Sequence, residues 1–208
     1  MVYPTPFSTS AEELVTFNFV ERVLGAQVTL YLSKATDSAA VENALSGVPL
    51  FSEPLSSDVT GTIGGVDPNT ESWDFDIIVD KLLILEGKAY FTFLHSITGT
   101  ATTRTGYTTI KLRKWDGTTE TEIANVRSRS MATSGTQTQR ETVIIDVPKT
   151  RFQKGDYVRI SVEPTADADG GGAGATAVYT IYHDPENAAV GGLDSDFIAI
   201  LPILAVKQ

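Results

Sequence analysis

The chain has 208 residues, 41% of them hydrophobic and 20% charged, a composition that suits one sizeable folded core or two small ones. It contains no cysteine, which excludes disulfides, thiolate nucleophiles and Cys-ligated metals. Its net charge of −10 argues against nonspecific nucleic-acid binding, because that affinity comes from Lys and Arg meeting phosphates.

Residues 1–13 read as an extended N-terminal arm, since Pro4 and Pro6 disfavour helix and Ser8-Thr9-Ser10 is polar. The start lacks the basic and apolar regions of a signal peptide. Ala26–Ser33 alternates as a strand. Asp37 to Leu45 reads as a helix, with Asp37 as N-cap and Gly47 as stop. Val48–Phe51 reads as a short edge strand. Ser52 to Thr70, rich in Ser, Thr, Gly, Asp and Pro, reads as a long connection and a domain boundary. Residues 14–66 are therefore expected to add strands or to form a small β subdomain, with the main sandwich at 72–208.

From Ser72 onward the chain reads as about eight strands and no helix. Trp73, Phe75 and Ile77 share one face of the first, and Ala89–His95 adds aromatic bulk. Thr98 to Gly106 reads as loop. Ile110 and Leu112 then point one way, while Tyr107, Lys111, Arg113 and Trp115 point the other. Asp116-Gly117 is a strong hairpin signal, and Thr119 to Met131 is the return run. Val143, Ile145 and Val147 mark another strand. Phe152-Gln-Lys-Gly-Asp156 turns the chain into Tyr157–Glu163, where Val158, Ile160 and Val162 alternate with polar residues. Asp167 to Ala175 is mobile or tightly turned, Thr176–Asp184 is a strand, and Phe197 to Val206 is a buried strand interrupted by Pro202, too short to span a bilayer. Short antiparallel strands in this number predict an all-β, jelly-roll-like antiparallel two-sheet sandwich. Its core should include Ile110, Leu112, Val143, Ile145, Val158, Ile160 and Val162.

Candidate sites are sparse. His95 and His183 are the two histidines, neither in a metal or triad motif, and both are read as structural. Asp167 and Asp169 are weak calcium candidates, because carboxylates two apart in a loop can ligate Ca²⁺. The pairs Asp184/Glu186 and Asp194/Asp196 share that spacing. No cofactor motif is present: the glycines at 170–172 are not followed by Gly-Lys-Ser/Thr. Trp73, Trp115 and Tyr107, with Tyr157, would make an aromatic platform for a glycan. Charge is blocked along the chain: 4 basic and 13 acidic residues in 1–103, 11 and 6 in 104–159, 1 and 7 in 160–208. Such blocks either steer neighbouring subunits together or coat one sheet face.

The segments Tyr107-Thr-Thr-Ile-Lys-Leu-Arg-Lys-Trp-Asp-Gly-Thr-Thr-Glu-Thr-Glu-Ile-Ala-Asn125 and Phe152-Gln-Lys-Gly-Asp-Tyr-Val-Arg-Ile-Ser-Val162 resemble the β-sandwich virion proteins of tailed bacterial and archaeal viruses. The resemblance covers about residues 72–163. It implies a capsid-decoration or tail component of a virion without enzymatic activity, and a trimer docking on capsid or tail proteins through its arm. Nucleic acid and membrane are not expected as partners. A carbohydrate-binding module is the alternative expectation.

Overall fold

The structure is a computed structural model that describes residues 27–34, 43–47, 55–183, 189–190, 193–194 and 196–204. The expected arm at 1–13, the strand at 48–51 and the Asp184/Glu186 pair lie outside the described residues. So does the side chain of Asp194. Among the described residues every regular element is a strand: β1 (Gln27–Lys34), β2 (Asn43–Ser46), β3 (Leu55–Thr62), β4 (Asn69–Thr70), β5 (Trp73–Ile78), β6 (Leu83–Gly99), β7 (Thr103–Trp115), β8 (Glu120–Arg127), β9 (Met131–Thr133), β10 (Gln137–Phe152), β11 (Tyr157–Asp169), β12 (Thr176–His183), β13 (Ala189–Val190), β14 (Leu193–Asp194) and β15 (Ile198–Pro202).

Two antiparallel sheets face each other. In sheet A the order is β3-β12-β6-β10, and in sheet B it is β5-β11-β7-β8. Successive strands β3, β5, β6 and β7 alternate between sheets, as do β8, β10, β11 and β12, and this double Greek-key path is a jelly roll. Strand β6 is long enough to take two partners on one side: β12 along residues 94–99 and β15 along 90–92. The β15 side continues through β1 to β2. In sheet B, β4 prolongs β5 along β11, and β9 prolongs β8 along β7.

Strict alternation decides which side chains meet between the sheets. On β7, Ile110 and Leu112 are wholly buried; on β11, Val158, Ile160 and Val162 are as well. Val143 and Ile145 of β10 face them from sheet A, so all seven expected core residues lie inside. Phe75, Phe91, Phe93, Phe152 and Phe197 fill the rest. Fully burying one such side chain contributes about 1.5–3 kcal/mol. The hairpin at Asp116-Gly117 forms as expected: Gly117 adopts φ +91°, and the Asp116 carboxylate accepts the N–H of Thr118 (2.9 Å) and Thr119 (2.7 Å).

Three expectations need correction. The helix at 37–45 fails at its C-terminal end, where Asn43–Ser46 is strand β2; the preceding residues, 37–42, lie outside the described set. Val41 and Leu45 give that segment too narrow an apolar face to hold a helix, whereas the ladder with β1 buries Leu45 opposite Leu32. Leu55–Thr62 within the expected connection is β3, an edge strand of sheet A. Its inward positions are Ser57, Val59 and Gly61, so one large apolar residue had to carry the whole pattern. Finally, 98–106 is not a loop: β6 runs to Gly99 and β7 starts at Thr103. Gly106 there is a packing requirement, since a Cβ would sit 2.2 Å from Cδ2 of Tyr179.

Candidate functional site

Sheet B turns a charged face outward. Across its strands run the rows Ile78–Tyr157–Trp115–Glu120, then Asp76–Arg159–Arg113–Glu122, then Asp74–Ser161–Lys111–Asn125. Arg159 sits at the centre of the lattice. Its Nε and Nη2 donate to the two oxygens of Asp76 at 2.7 Å each, and Nη1 donates to Glu120 Oε2 at 2.7 Å. Its guanidinium also lies 4.6 Å from the ring centre of Trp115. The Asp76 carboxylate, more than any other contact, raises the already high pKa of Arg159. Arg113 bridges Glu120 and Glu163, and Lys111 donates to Glu163 at 2.7 Å. The acidic members come from all three blocks, Asp74 and Asp76 from the first, Glu120 from the central one and Glu163 from the last, and the basic ones from the central block, so these charges are matched within one chain.

The expected aromatic platform is not assembled. Trp73 is buried on the inner face, its indole N–H donating to Glu71 Oε2 at 3.1 Å. Trp115 is on the outer face against Tyr157, with ring centres 4.7 Å apart. Tyr107 shares that face but lies eight residues along β7, roughly 26 Å away at strand rise. There the Arg127 guanidinium covers its ring at 3.4 Å.

The second cluster is walled in between the sheets. His95 of β6 and Tyr179 of β12 are both inaccessible to solvent. His95 Nδ1 makes a short hydrogen bond to the Tyr179 hydroxyl, which also bonds Thr108 Oγ1 at 3.0 Å. Thr108 N–H in turn donates to Ser128 Oγ at 2.9 Å. On the other side of the ring, His95 Nε2 faces Glu141 Oε2 at 3.7 Å, beyond hydrogen-bond reach. Glu141 Oε1 accepts the N–H of Arg129 at 3.0 Å. A carboxylate facing Nε2 assigns the proton to that nitrogen, so Tyr179 donates to Nδ1 and accepts from Thr108. Burial pushes the imidazole down to about 4, and burial likewise pushes the Tyr179 phenol up. An acid, an imidazole and a hydroxyl in line is the order of a hydrolytic relay. Here, however, no substrate atom can reach the hydroxyl.

His183 is also buried and pairs its Nε2 with Ser57 Oγ at 3.0 Å. Asp167 and Asp169 lie at the far end of β11. Burial raises the Asp167 pKa, and Asp67 and Asp169 raise it further; Asp67 Oδ1 itself accepts the N–H of Ala168 at 2.8 Å. Among the described residues no three His, Asp or Glu side chains are grouped to hold a metal, and no helix is long and apolar enough to cross a membrane. Sequence reasoning missed Glu141, Tyr179 and Thr108 altogether. Glu141 sits in the Thr- and Gln-rich start of β10, Thr108 among the threonines of β7 and Tyr179 in β12, and nothing local marks any of them as an inward polar residue.

No family model and no curated protein matches the chain. Solved structures share its fold. A CocE/NonD family hydrolase from Staphylococcus aureus superposes with TM-score 0.52 at 14% identity, covering 88% of this chain and 37% of that one. An α-amino acid ester hydrolase gives 0.52 at 12% identity, covering 86% and 36%. An aminopeptidase from a marine sediment Thaumarchaeota archaeon gives 0.53 at 8% identity, covering 86% and 37%. The chain thus spans little more than a third of these hydrolases, and identities this low establish shared fold alone. The VP2 subviral particle of infectious bursal disease virus overlays at TM-score 0.25, too low to carry an argument.

These neighbours overturn the expectation of a virion protein without enzymatic activity, and the glycan-binding alternative loses its platform to the burial of Trp73 and the separation of Tyr107 from Trp115. The physical reason is plain. Alternation, an Asp-Gly hairpin and a Gly-Asp turn are what any jelly roll needs, so they specify the sandwich and not the particle.

Proposed function

We propose that this chain is the β-sandwich component of a hydrolytic enzyme that cleaves ester or amide bonds. The observation that carries the reading is the fold likeness: it takes in 86–88% of this chain and only 36–37% of each hydrolase. A jelly roll that forms about a third of such an enzyme leaves room for the reacting groups in the remainder of the assembly. The interior agrees with that division. His95 and Tyr179 are closed to solvent, Glu141 is largely covered and the imidazole is neutral, which suits bracing the two sheets rather than meeting substrate. The outer lattice around Arg159 supplies a stiff surface on which a neighbouring domain keeps a fixed orientation.

The test is to tag the chain in the cells that make it, purify it gently, and assay the eluate on p-nitrophenyl acetate and on aminoacyl p-nitroanilides. Turnover that tracks the amount of chain from one preparation to the next supports the reading. A gentle eluate in which no other protein accompanies the chain and neither substrate is turned over contradicts it.

A further inference from the structure

Sheet A ends at β10, and among the described residues β10 pairs with β6 and with no other strand. Strand β8 runs beside it in the opposite sheet with no ladder between them. A 16-residue edge is long, and unpaired edge amides and carbonyls are a template for another strand. One end of β10 is guarded. Its register breaks between Val147 and Thr150, Pro148 has no N–H to offer, and Lys149 is an exposed charge. From Gln139 to Val147 the register is continuous, with neither proline nor bulge. The side chains this stretch turns away from the core are Arg140, Thr142, Ile144 and Asp146, opposite Leu94, Thr92, Tyr90 and Lys88 of β6. Ile144 is 49% exposed, and the Asp146 side chain is 83% exposed even with Lys88 at 2.6 Å.

We propose that β10 is a self-recognition edge: two copies of the chain pair β10 to β10, antiparallel, about a two-fold axis through Val143, and so join their A sheets into one. The register follows from the sequence. A two-fold contact is reciprocal, so if Arg140 of one copy meets a residue of the other, that residue's twin meets Arg140. Keeping Val143 and Ile145 directed inward restricts the axis to a residue position, because a one-residue slip would turn the apolar set outward. An axis at Thr142 sets Arg140 against Ile144. An axis at Ile144 sets Thr142 against Asp146 and Arg140 against Pro148. An axis at Ile145 sets Ile144 against Asp146. With the axis at Val143, Arg140 lies opposite Asp146 twice and Thr142 opposite Ile144 twice. Of these four registers it alone matches opposite charges within the unbroken stretch from Gln139 to Val147, since the Glu141–Lys149 pair of the axis at Ile145 falls across the register break.

The test is size-exclusion chromatography with light scattering on the full chain over a wide concentration range. The wild type should pass from one-copy to two-copy mass as concentration rises. Arg140→Asp alone and Asp146→Arg alone each set like charges face to face, so each should stay at one-copy mass. Mixed together, the two variants should form a heterodimer, because each then meets its opposite. Simple loss of folding cannot produce that rescue. A second readout uses the absence of native cysteine: Val143→Cys should crosslink with its twin under copper–phenanthroline, and Ile145→Cys should not. A wild type that stays at one-copy mass at its highest attainable concentration overturns the proposal. So does a dimer indifferent to either charge reversal, or a mixture of the two variants that fails to pair.

Discussion

The buried imidazole makes a quantitative claim about acid stability. In the unfolded chain His95 titrates at its ordinary 6.5, and in the folded protein burial brings it down to about 4. Between those values the unfolded state binds a proton that the folded state does not. Stability therefore rises with pH across that window, and it is lost as pH falls from 6.5 toward 4. At 1.36 kcal/mol per pH unit, the shift amounts to about 3 kcal/mol. That is a large share of the 5–15 kcal/mol typical of a folded domain. The groups facing the ring are the Tyr179 hydroxyl, the Phe93 edge and the Glu141 carboxylate. Of these, only Glu141 favours the imidazolium, and it does so from 3.7 Å without a hydrogen bond. The assay is urea unfolding followed by fluorescence of the buried Trp73, from about pH 7 down to about pH 4.5, on wild type and His95→Gln. The substitution will cost stability at every pH, so the informative quantity is the slope. Wild type should lose about 2.5 kcal/mol more than the variant over the assayed range, which stops short of the folded-state value. Equal slopes would refute the claim that His95 is held neutral by its surroundings.

Three further outcomes follow from the same packing. Gly106→Ala should destabilise by about 1–3 kcal/mol, the usual cost of overpacking, because its Cβ would overlap the Tyr179 ring; an unchanged thermal midpoint would show that β7 can shift away. Tyr179→Phe should cost about 1–3 kcal/mol in chemical unfolding, since it leaves His95 Nδ1 and Thr108 Oγ1 without their shared hydroxyl. Arg159→Lys should lower the thermal midpoint and weaken its dependence on salt, because an ammonium cannot hold Asp76 through two nitrogens and reach Glu120 as well; a midpoint with wild-type salt dependence would show the lattice to be inert.

Legibility in the sequence followed the side chains that sheet burial demands. The strands at 107–115 and 157–163 alternate cleanly because both are central in sheet B and each has one wet face. Strand β3 hid because its inward residues are Ser57, Val59 and Gly61, set by neighbours above them rather than by hydrophobicity. The Glu141–His95–Tyr179 line was invisible for a different reason. His95 and Tyr179 are 84 residues apart and meet only because β12 lies beside β6. The three charge blocks left two readings open, and the fold answers with the one in which they coat a sheet face. The jelly-roll path interleaves Asp74 and Asp76, Lys111 and Arg113, and Glu163 on one face. Strand grammar was thus sufficient for the fold and uninformative about the role, since every sandwich of this topology shares it.

Membership in a hydrolytic assembly is tested most directly by size-exclusion chromatography of the tagged chain purified from the cells that make it, with ester and aminoacyl-amide hydrolysis assayed in every fraction. One copy of the chain is 22.3 kDa. The expected result is a peak of turnover that coincides with the chain at a mass above that of two copies. Chain that elutes as one or two copies, with all turnover elsewhere in the profile, contradicts it.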